Sequence, residues 1–234
     1  MTETATANRR IRPSAGDVLG VAIEAQTYRN LLYLVLAFPL GMIYFSTLLF
    51  GFIFGLLLSV AVVGVGILVA TVLGARLLAQ FERWLANALL PVDLREPTDV
   101  RPASGTIGSV RTRLDAPSTW RDLGFLALKF WVGILGILLF AFVLSAIELV
   151  TAPLRYPFAV ELGTYNGEDV ALSITSLPEA LLAVPVGLLV GLVLLHLANG
   201  LAHLAGRMAV ALLDGGDRQQ ASTVSTAPTA PAED

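Results

Sequence analysis

The stretch that decides the fold is residues 31–75, LLYLVLAFPLGMIYFSTLLFGFIFGLLLSVAVVGVGILVATVLGA. These 45 residues contain no charged side chain. As one helix they would be roughly 67 Å long at about 1.5 Å per residue, whereas the hydrocarbon layer of a bilayer is about 30 Å thick. Tilting cannot absorb that excess, so we expect two spanning helices, at about 31–51 and 54–80. The turn is expected near residue 53, between Gly51 and Gly55, or later, toward Ser59.

The rest of the composition is that of an integral membrane protein. Of the 234 residues, 56% are hydrophobic and only 14% are charged, against about 25% charged in soluble domains. The formal net charge of −3 offers no basic field to nucleic acid. The chain has no cysteine, which excludes disulfides and thiolate metal sites. Two more apolar segments, at about 123–148 and 179–206, complete a set of four predicted spanning helices.

Two polar segments join the helices. Residues 91–119 form a linker, in which three apolar residues on one helical face predict a short interfacial or solvated helix: Ile107, Val110 and Leu114. Residues 151–177 form a loop, in which Asn166-Gly167 lies between two alternating apolar runs. That pattern is typical of a β-hairpin.

The distribution of cations predicts the orientation. Of the 15 Lys and Arg residues, only Arg155 falls in the 151–177 loop. All the others lie before the first helix, flank or lie between the second and third, or follow the fourth. By the positive-inside rule, both termini and the linker are cytoplasmic and the loop lies outside the cell membrane. The predicted organisation is a cytoplasmic tail and lead-in, a membrane domain and a disordered tail: residues 1–26, 27–213 and 214–234.

An internal repeat organises the chain. Residues 27–41 align with 119–133 at an offset of 92 and are identical at 7 of 15 positions. Residues 75–90 align with 198–213 and are identical at 7 of 16. Each half is therefore expected to be a helical hairpin that enters from the same side of the membrane. The predicted fold is an all-α four-helix transmembrane bundle made of two parallel-repeat hairpins, with both termini inside.

The same segments resemble the sensor domain family found at the amino end of many actinobacterial histidine kinases. The resemblance covers about residues 20–213 and is carried, in order, by five motifs: TYRNLLYL at 27–34, FPLGMIYF at 38–45, TWRDL at 119–123, TAPL at 151–154 and SLPEAL at 176–181. It implies a four-helix membrane module that receives a signal at the cell envelope. No kinase region follows within these 234 residues, so we expect a partner in trans.

Polar residues in the predicted helices are the candidate functional positions. Four of them share one face of the fourth helix, at spacings of three and four. Its two histidines lie about 10.5 Å apart along the axis, too far to share a metal ion at bond lengths near 2 Å. We interpret this face as a polar seam hydrogen-bonded between hairpins, with a protonation switch or a metal site as alternatives. Intramembrane ionisable groups are functional candidates by default, which adds Glu148 at the outer end of the third helix, seven residues before Arg155 in the loop. The candidate positions are therefore Glu148, Arg155 and the four on the fourth helix, His196, Asn199, His203 and Arg207.

The residues at the helix starts have structural interpretations. Three motifs are expected to cap helices: Thr27 to Asn30, Thr119 to Asp122, and Ser176 to Glu179. Lys129 is expected to snorkel to the membrane surface. Two aromatic-arginine pairs are interpreted as interfacial anchors, or else as grips on a partner's helix: Tyr28, Arg29, Trp120 and Arg121.

The absence of catalytic motifs narrows the function. The sequence contains no Walker phosphate loop, nucleophile elbow or His-Glu-x-x-His pair, so we expect neither catalysis nor a cofactor or metal. The leading prediction is a non-enzymatic membrane sensor that couples an envelope signal to a cytoplasmic partner in trans, such as a histidine kinase of a two-component system. It would sit in the lipid bilayer, alone or as a homo-oligomer. The alternatives are a small transporter or channel subunit, which needs a polar path, and a membrane scaffold or lipid-binding protein.

Overall fold

The computed structural model of the chain describes residues 20–60, 62–97 and 106–215. Its elements are, in chain order, α1 (Ala25–Leu57), α2 (Val63–Leu89), α3 (Thr106–Asp115), α4 (Pro117–Val150), α5 (Ala152–Arg155), β1 (Phe158–Tyr165), β2 (Glu168–Ile174) and α6 (Leu177–Leu213). Most of the two predicted tails, including the disordered tail expected after residue 213, lies outside the described residues.

Helices α1, α2, α4 and α6 are each long and apolar enough to cross a membrane. Large apolar side chains on their outer faces are exposed, among them Leu57 at 70%, Leu77 at 68% and Leu189 at 68%. Such a surface is one that lipid would cover. The predicted all-α four-helix transmembrane fold is therefore confirmed.

Helices α1 and α4 form the centre of the bundle, with α2 packed against α1 and α6 packed against α4. The two central helices approach closely at glycines. A Cβ atom on Gly41 would lie 2.8 Å from the Cα of Phe130, and one on Gly133 would lie 2.6 Å from the Cα of Phe38. Any side chain at these positions would push the two backbones apart, so small residues allow the contact.

The glycine contacts also define the direction of α4. From Leu34 to Gly41 along α1, the opposite residues on α4 run backward, from Gly136 to Phe130. The two helices are thus antiparallel, which differs from the predicted parallel arrangement of the hairpins, because this register places the glycines of each helix over the backbone of the other. Consistently, Trp120 near the start of α4 lines a groove with the last turns of α1.

Different elements lie at the two ends of the bundle. We call the end where α4 begins and α3 lies the α3 end; α1 turns into α2 there, and α6 ends there. The opposite end, where α1 begins and the β-hairpin lies, is the hairpin end. Because α1 begins at one end and α6 finishes at the other, the bundle differs from the predicted arrangement with both termini on one side.

The turn between α1 and α2 lies at residues 58–62, on the later of the two predicted positions and not at residue 53. Gly51 and Gly55 remain inside α1 because they serve helix packing: a side chain on either would collide with Thr71 or Leu68 of α2. The spanning helices also begin earlier or end later than expected, with α4 starting at residue 117 and α6 reaching residue 213.

The connecting segments contain the predicted local structures. β1 and β2 pair antiparallel, and Asn166 and Gly167 have φ angles of 55° and 85°, as a type I′ hairpin turn requires. The hairpin prediction is confirmed, and so is a helix within the 91–119 linker, namely α3. The capping box of α6 is also confirmed, since the backbone N–H of Ser176 donates to the Glu179 carboxylate at 3.2 Å.

Candidate functional site

Buried and half-buried polar side chains form three groups along the bundle. Among the described residues, all the buried polar and charged ones except Thr71 belong to these groups. The central cluster comprises Tyr33, Tyr44, Glu82 and Lys129. The α3-end group comprises Arg76, Arg83, Ser118, Thr119 and Asp122, and the hairpin-end group comprises Gln26, Thr27, Asn30 and Asn199.

Glu82 is the hub of the central cluster. Its side chain is fully buried on α2. Oε1 accepts a hydrogen bond from the hydroxyl of Tyr33 at 2.8 Å, and Oε2 accepts one from the hydroxyl of Tyr44 at 3.3 Å. Two donors from α1 thus satisfy a carboxylate that would be costly to bury alone.

Lys129 of α4 completes the central cluster. It is 0% exposed and forms an ion pair with Glu82, and its ammonium lies 3.6 Å from the centroid of the Tyr33 ring. The prediction that Lys129 snorkels to the surface is therefore wrong. Helical side chains lean toward the start of their own helix, so Lys129 leans toward the α3 end, and within the bundle Glu82 is the counterion it meets.

The α3-end group joins three helices. Arg83 Nη2 lies 2.5 Å from Asp122 Oδ1, and Arg83 Nε donates to the backbone carbonyl of Leu213 at 3.0 Å. Arg83 therefore ties α2 to α4 and to the last residue of α6. The second oxygen of Asp122 is buried and has no hydrogen-bond partner among the described residues.

Thr119 connects this group to α3. Arg76 donates to the Thr119 hydroxyl at 2.5 Å and to the Ser118 hydroxyl at 3.2 Å. The Thr119 hydroxyl in turn donates to the backbone carbonyl of Arg113 at 2.6 Å. The expected cap at Thr119 is therefore wrong: α4 begins at residue 117, and the threonine bridges two other elements.

The hairpin-end group contains the predicted inter-hairpin seam in part. Asn199 Nδ2 donates to the Thr27 hydroxyl at 2.9 Å, Asn30 donates to Asn199 Oδ1 at 2.9 Å, and Gln26 donates to Asn30 Oδ1 at 2.8 Å. The expected cap at Thr27 is also wrong, because α1 starts two residues earlier and the hydroxyl faces α6.

The other candidates on α6 do not join the seam. His196, His203 and Arg207 are all exposed, and the ring of His196 makes a 2.9 Å contact with the carbonyl of Leu192 on its own helix. The polar face predicted for this helix is thus divided, because α1 covers only the side that carries Asn199.

The remaining predicted positions lie outside the three groups. Glu148 is half-buried near the end of α4, and Arg155 is exposed in α5; both lie at the hairpin end. Tyr28 and Trp120 are 55% and 59% exposed. Their roles as interfacial anchors stay predictions, as do those of Arg29, which is exposed, and Arg121, which is half-buried.

Sequence reasoning missed Glu82 because the second spanning helix was expected to end at residue 80. A usable signal was present. Glu82 shares a helical face with Ala75, Ala79 and Ala86, at spacings of four, three and four, and all four residues are buried. A carboxylate on a face of small residues indicates contact with another helix, not exposure to solvent.

Comparison with known proteins identifies the family. The family model described as "Putative sensor" matches residues 33–213, more than half of the chain. The chain belongs to this family. The matched range includes the whole central cluster and the α3-end group, and it confirms the resemblance found in the sequence. The comparison with curated proteins gave no match, and neither did the comparison with solved structures.

Proposed function

We propose that the chain is a non-enzymatic membrane sensor that transmits changes in helix packing to a cytoplasmic partner in trans, such as a histidine kinase. Family membership supports the sensor role. The observation that carries the proposal is the buried ion pair of Glu82 and Lys129, which links α2 to α4 and, through Tyr33, to α1. Ionisable groups inside a membrane are costly and typically functional.

The internal repeat supports this interpretation. We infer that the two halves are related by a pseudo-twofold axis, because contacts recur at the offset of 92. The Gly41 contact with Phe130 recurs as that of Gly133 with Phe38. The side chains of two aromatic residues each donate to the carbonyl six residues earlier: Tyr28 to Ala22 and Trp120 to Leu114.

The central cluster breaks that symmetry. Three of its four members fall within the aligned segments, and their repeat equivalents are apolar and buried: Tyr33 corresponds to Phe125, Lys129 to Ala37 and Glu82 to Ala205. The same architecture therefore packs without charges on the other side of the pseudo-axis. Because replacing a buried ion pair by apolar residues is often neutral or stabilising, we infer that the cluster serves switching and not folding.

A chain of direct contacts leads from the cluster to the α3 end. Arg83 follows Glu82 in the sequence and binds both Asp122 and the end of α6. A shift of α2 against α4 would therefore move the end of α6. It would also act on α3, because Arg76 binds Thr119 of α4 and the Thr119 hydroxyl binds the backbone carbonyl of Arg113 on α3. The moving element is α2, and α3 and the end of α6 are its outputs.

We also propose that the α3 end faces the cytoplasm of a cell membrane. Described cations concentrate there, on α2, on α3, near the start of α4 and beside the end of α6: Arg76, Arg95, Arg111, Arg113 and Arg121. The hairpin end carries fewer of the described cations, Arg29 and Arg155, together with Glu148 and Glu168. This asymmetry is what the positive-inside rule leads one to expect. This orientation places the start of α1 on the outer side, in place of the predicted cytoplasmic lead-in.

The experiment converts the cluster into its apolar counterpart. The variant Tyr33→Phe/Glu82→Ala/Lys129→Ala gives each of these three positions the residue type found at its repeat equivalent. A photo-crosslinker at exposed Asp115 of α3 reports partner contact in the cell. We expect unchanged membrane abundance and loss of the adduct that the unaltered cluster gives. An identical adduct, at identical abundance, would show that the cluster transmits nothing.

One observation favours a second candidate function, transport of protons or small polar solutes. The three buried polar groups lie at successive depths between the two ends of the bundle, which a polar path requires. Direct bonding between members of each group favours transmission by contact. Replacing residues 100–113 with a Gly/Ser segment of equal length separates the two functions. A flexible segment can still span the distance between the helices that it joins, but it removes any surface that a partner protein recognises. A sensor would lose its partner's response, whereas a transporter would keep its flux.

A further inference from the structure

A polar cavity of about 140 Å³ lies at the α3 end, between α2, α3 and residues 96–97. Three arginines from two helices line it together with one amide and one carboxylate: Arg76, Arg83, Arg113, Gln80 and Glu96. A cavity of this size has room for several water molecules, and so for a small anionic group. We propose that it binds a phosphate group, from either an anionic lipid headgroup or a soluble phosphorylated compound.

The charges around the cavity favour an anion. Arg83 is neutralised by Asp122. Among the described residues, Arg76 and Arg113 form no ion pair with a carboxylate. The one carboxylate in the lining, Glu96, is exposed and accepts a hydrogen bond from Gln80 at 2.5 Å. Two guanidinium groups of the lining therefore form no ion pair among the described residues, and the lining offers one solvated carboxylate against them.

Arg76 is held in place for this role. Its Nη1 atom donates to the hydroxyls of Thr119 and Ser118 at 2.5 and 3.2 Å, which positions the planar guanidinium at the cavity. A guanidinium has five N–H donors, so others remain to bind an oxyanion. Planar, fixed arginines bind phosphate oxygens with paired hydrogen bonds.

Binding would clamp the output surface. Arg76 and Arg83 belong to α2, and Arg113 belongs to α3. A phosphate group held between them would tie the two helices together by charge-assisted hydrogen bonds. This inference does not depend on the proposed switching role of Glu82 and Lys129, and its test has no signalling readout.

The experiment measures binding to the full chain in phosphatidylcholine nanodiscs. Inorganic phosphate is titrated at constant ionic strength against chloride, and the thermal unfolding midpoint is recorded. In a second arm, phosphatidylglycerol replaces part of the phosphatidylcholine and no phosphate is added. Saturation by phosphate identifies a soluble ligand, whereas stabilisation by phosphatidylglycerol alone identifies a lipid headgroup, and either outcome supports the site.

Three exposed substitutions decide whether the cavity is responsible. Arg113→Gln should weaken binding about tenfold, since it removes one charge-assisted contact. Arg111→Gln is the matched control, because Arg111 lies on the same helix, pairs with Asp115 and does not line the cavity. Glu96→Gln should tighten binding by removing a like charge. Equal losses in Arg111→Gln and Arg113→Gln, or no stabilisation in either arm, would overturn the proposal.

Discussion

Glu82 and Lys129 form an ion pair, but among the described residues Glu82 has two further hydrogen-bond partners and Lys129 has none. Glu82→Ala leaves Lys129 with only the Tyr33 ring, and removing one partner of a buried ion pair costs about 3–5 kcal/mol. Lys129→Ala leaves Glu82 with its two tyrosine donors, so a smaller loss is expected. Unfolding titrations in SDS would measure both free energies. Equal costs, or a larger cost for Lys129→Ala, would contradict the assigned contacts.

Asn199 and His203 give a matched pair on one helix. Asn199→Leu removes hydrogen bonds to Thr27 and Asn30 and should lower the unfolding free energy by about 1 kcal/mol. His203→Leu alters an exposed position and should change it by less than about 0.5 kcal/mol. The same titration tests both variants. A larger loss of unfolding free energy for His203→Leu than for Asn199→Leu would indicate that His203 also contributes to the seam between the hairpins.

Single residues also show where sequence reasoning reached its limit. Asn199 was expected in an inter-hairpin seam and is found there, because spacing along a helix predicts which residues share a face. The partner of Lys129 could not be predicted, since it depends on how α2 and α4 are placed and not on either sequence alone. Snorkelling was the natural expectation for one lysine near a helix start, and the buried carboxylate opposite overrides it.

At the scale of elements, the crossing of α1 and α4 depends on glycine. On Gly133, an added Cβ atom would lie 2.5 Å from the carbonyl oxygen of Ala37, whereas on Gly124 of the same helix it would meet nothing within 4 Å. Gly133→Ala should therefore cost about 1–3 kcal/mol, and Gly124→Ala should be neutral or stabilise by up to about 1 kcal/mol. Similar effects of the two substitutions on unfolding would argue against close crossing.

The elements differ in how well local sequence predicts them. The β-hairpin follows from Asn166 and Gly167, whose preference for positive φ is intrinsic, and the start of α6 follows from its capping box. The position of the α1–α2 turn cannot be predicted from local sequence, because Gly51 and Gly55 suit a turn as well as a close helix contact. The direction of α4 relative to α1 is likewise set by tertiary contacts, and an internal repeat in the sequence does not determine it.

At the scale of the whole molecule, orientation can be tested with single cysteines because the chain has none of its own. Cysteines at Asn166 in the hairpin turn and at Arg111 on α3 lie at opposite ends. A membrane-impermeant thiol reagent added to intact cells should label Asn166→Cys and spare Arg111→Cys until the cells are opened. Labelling of Arg111→Cys in intact cells would reverse the proposed orientation.

We propose that the ion pair of Glu82 and Lys129 holds α2 in one of two positions against α4. Ala88→Cys on α2 and Leu128→Cys on α4 replace exposed residues and can carry spin labels. Pulsed electron paramagnetic resonance in nanodiscs then measures the distance between the two labels. With the cluster intact, we predict two distance populations. With Tyr33→Phe/Glu82→Ala/Lys129→Ala we predict one, because no ion pair remains to be made or broken. A single population that the triple substitution leaves unchanged would show that the ion pair does not control the position of α2.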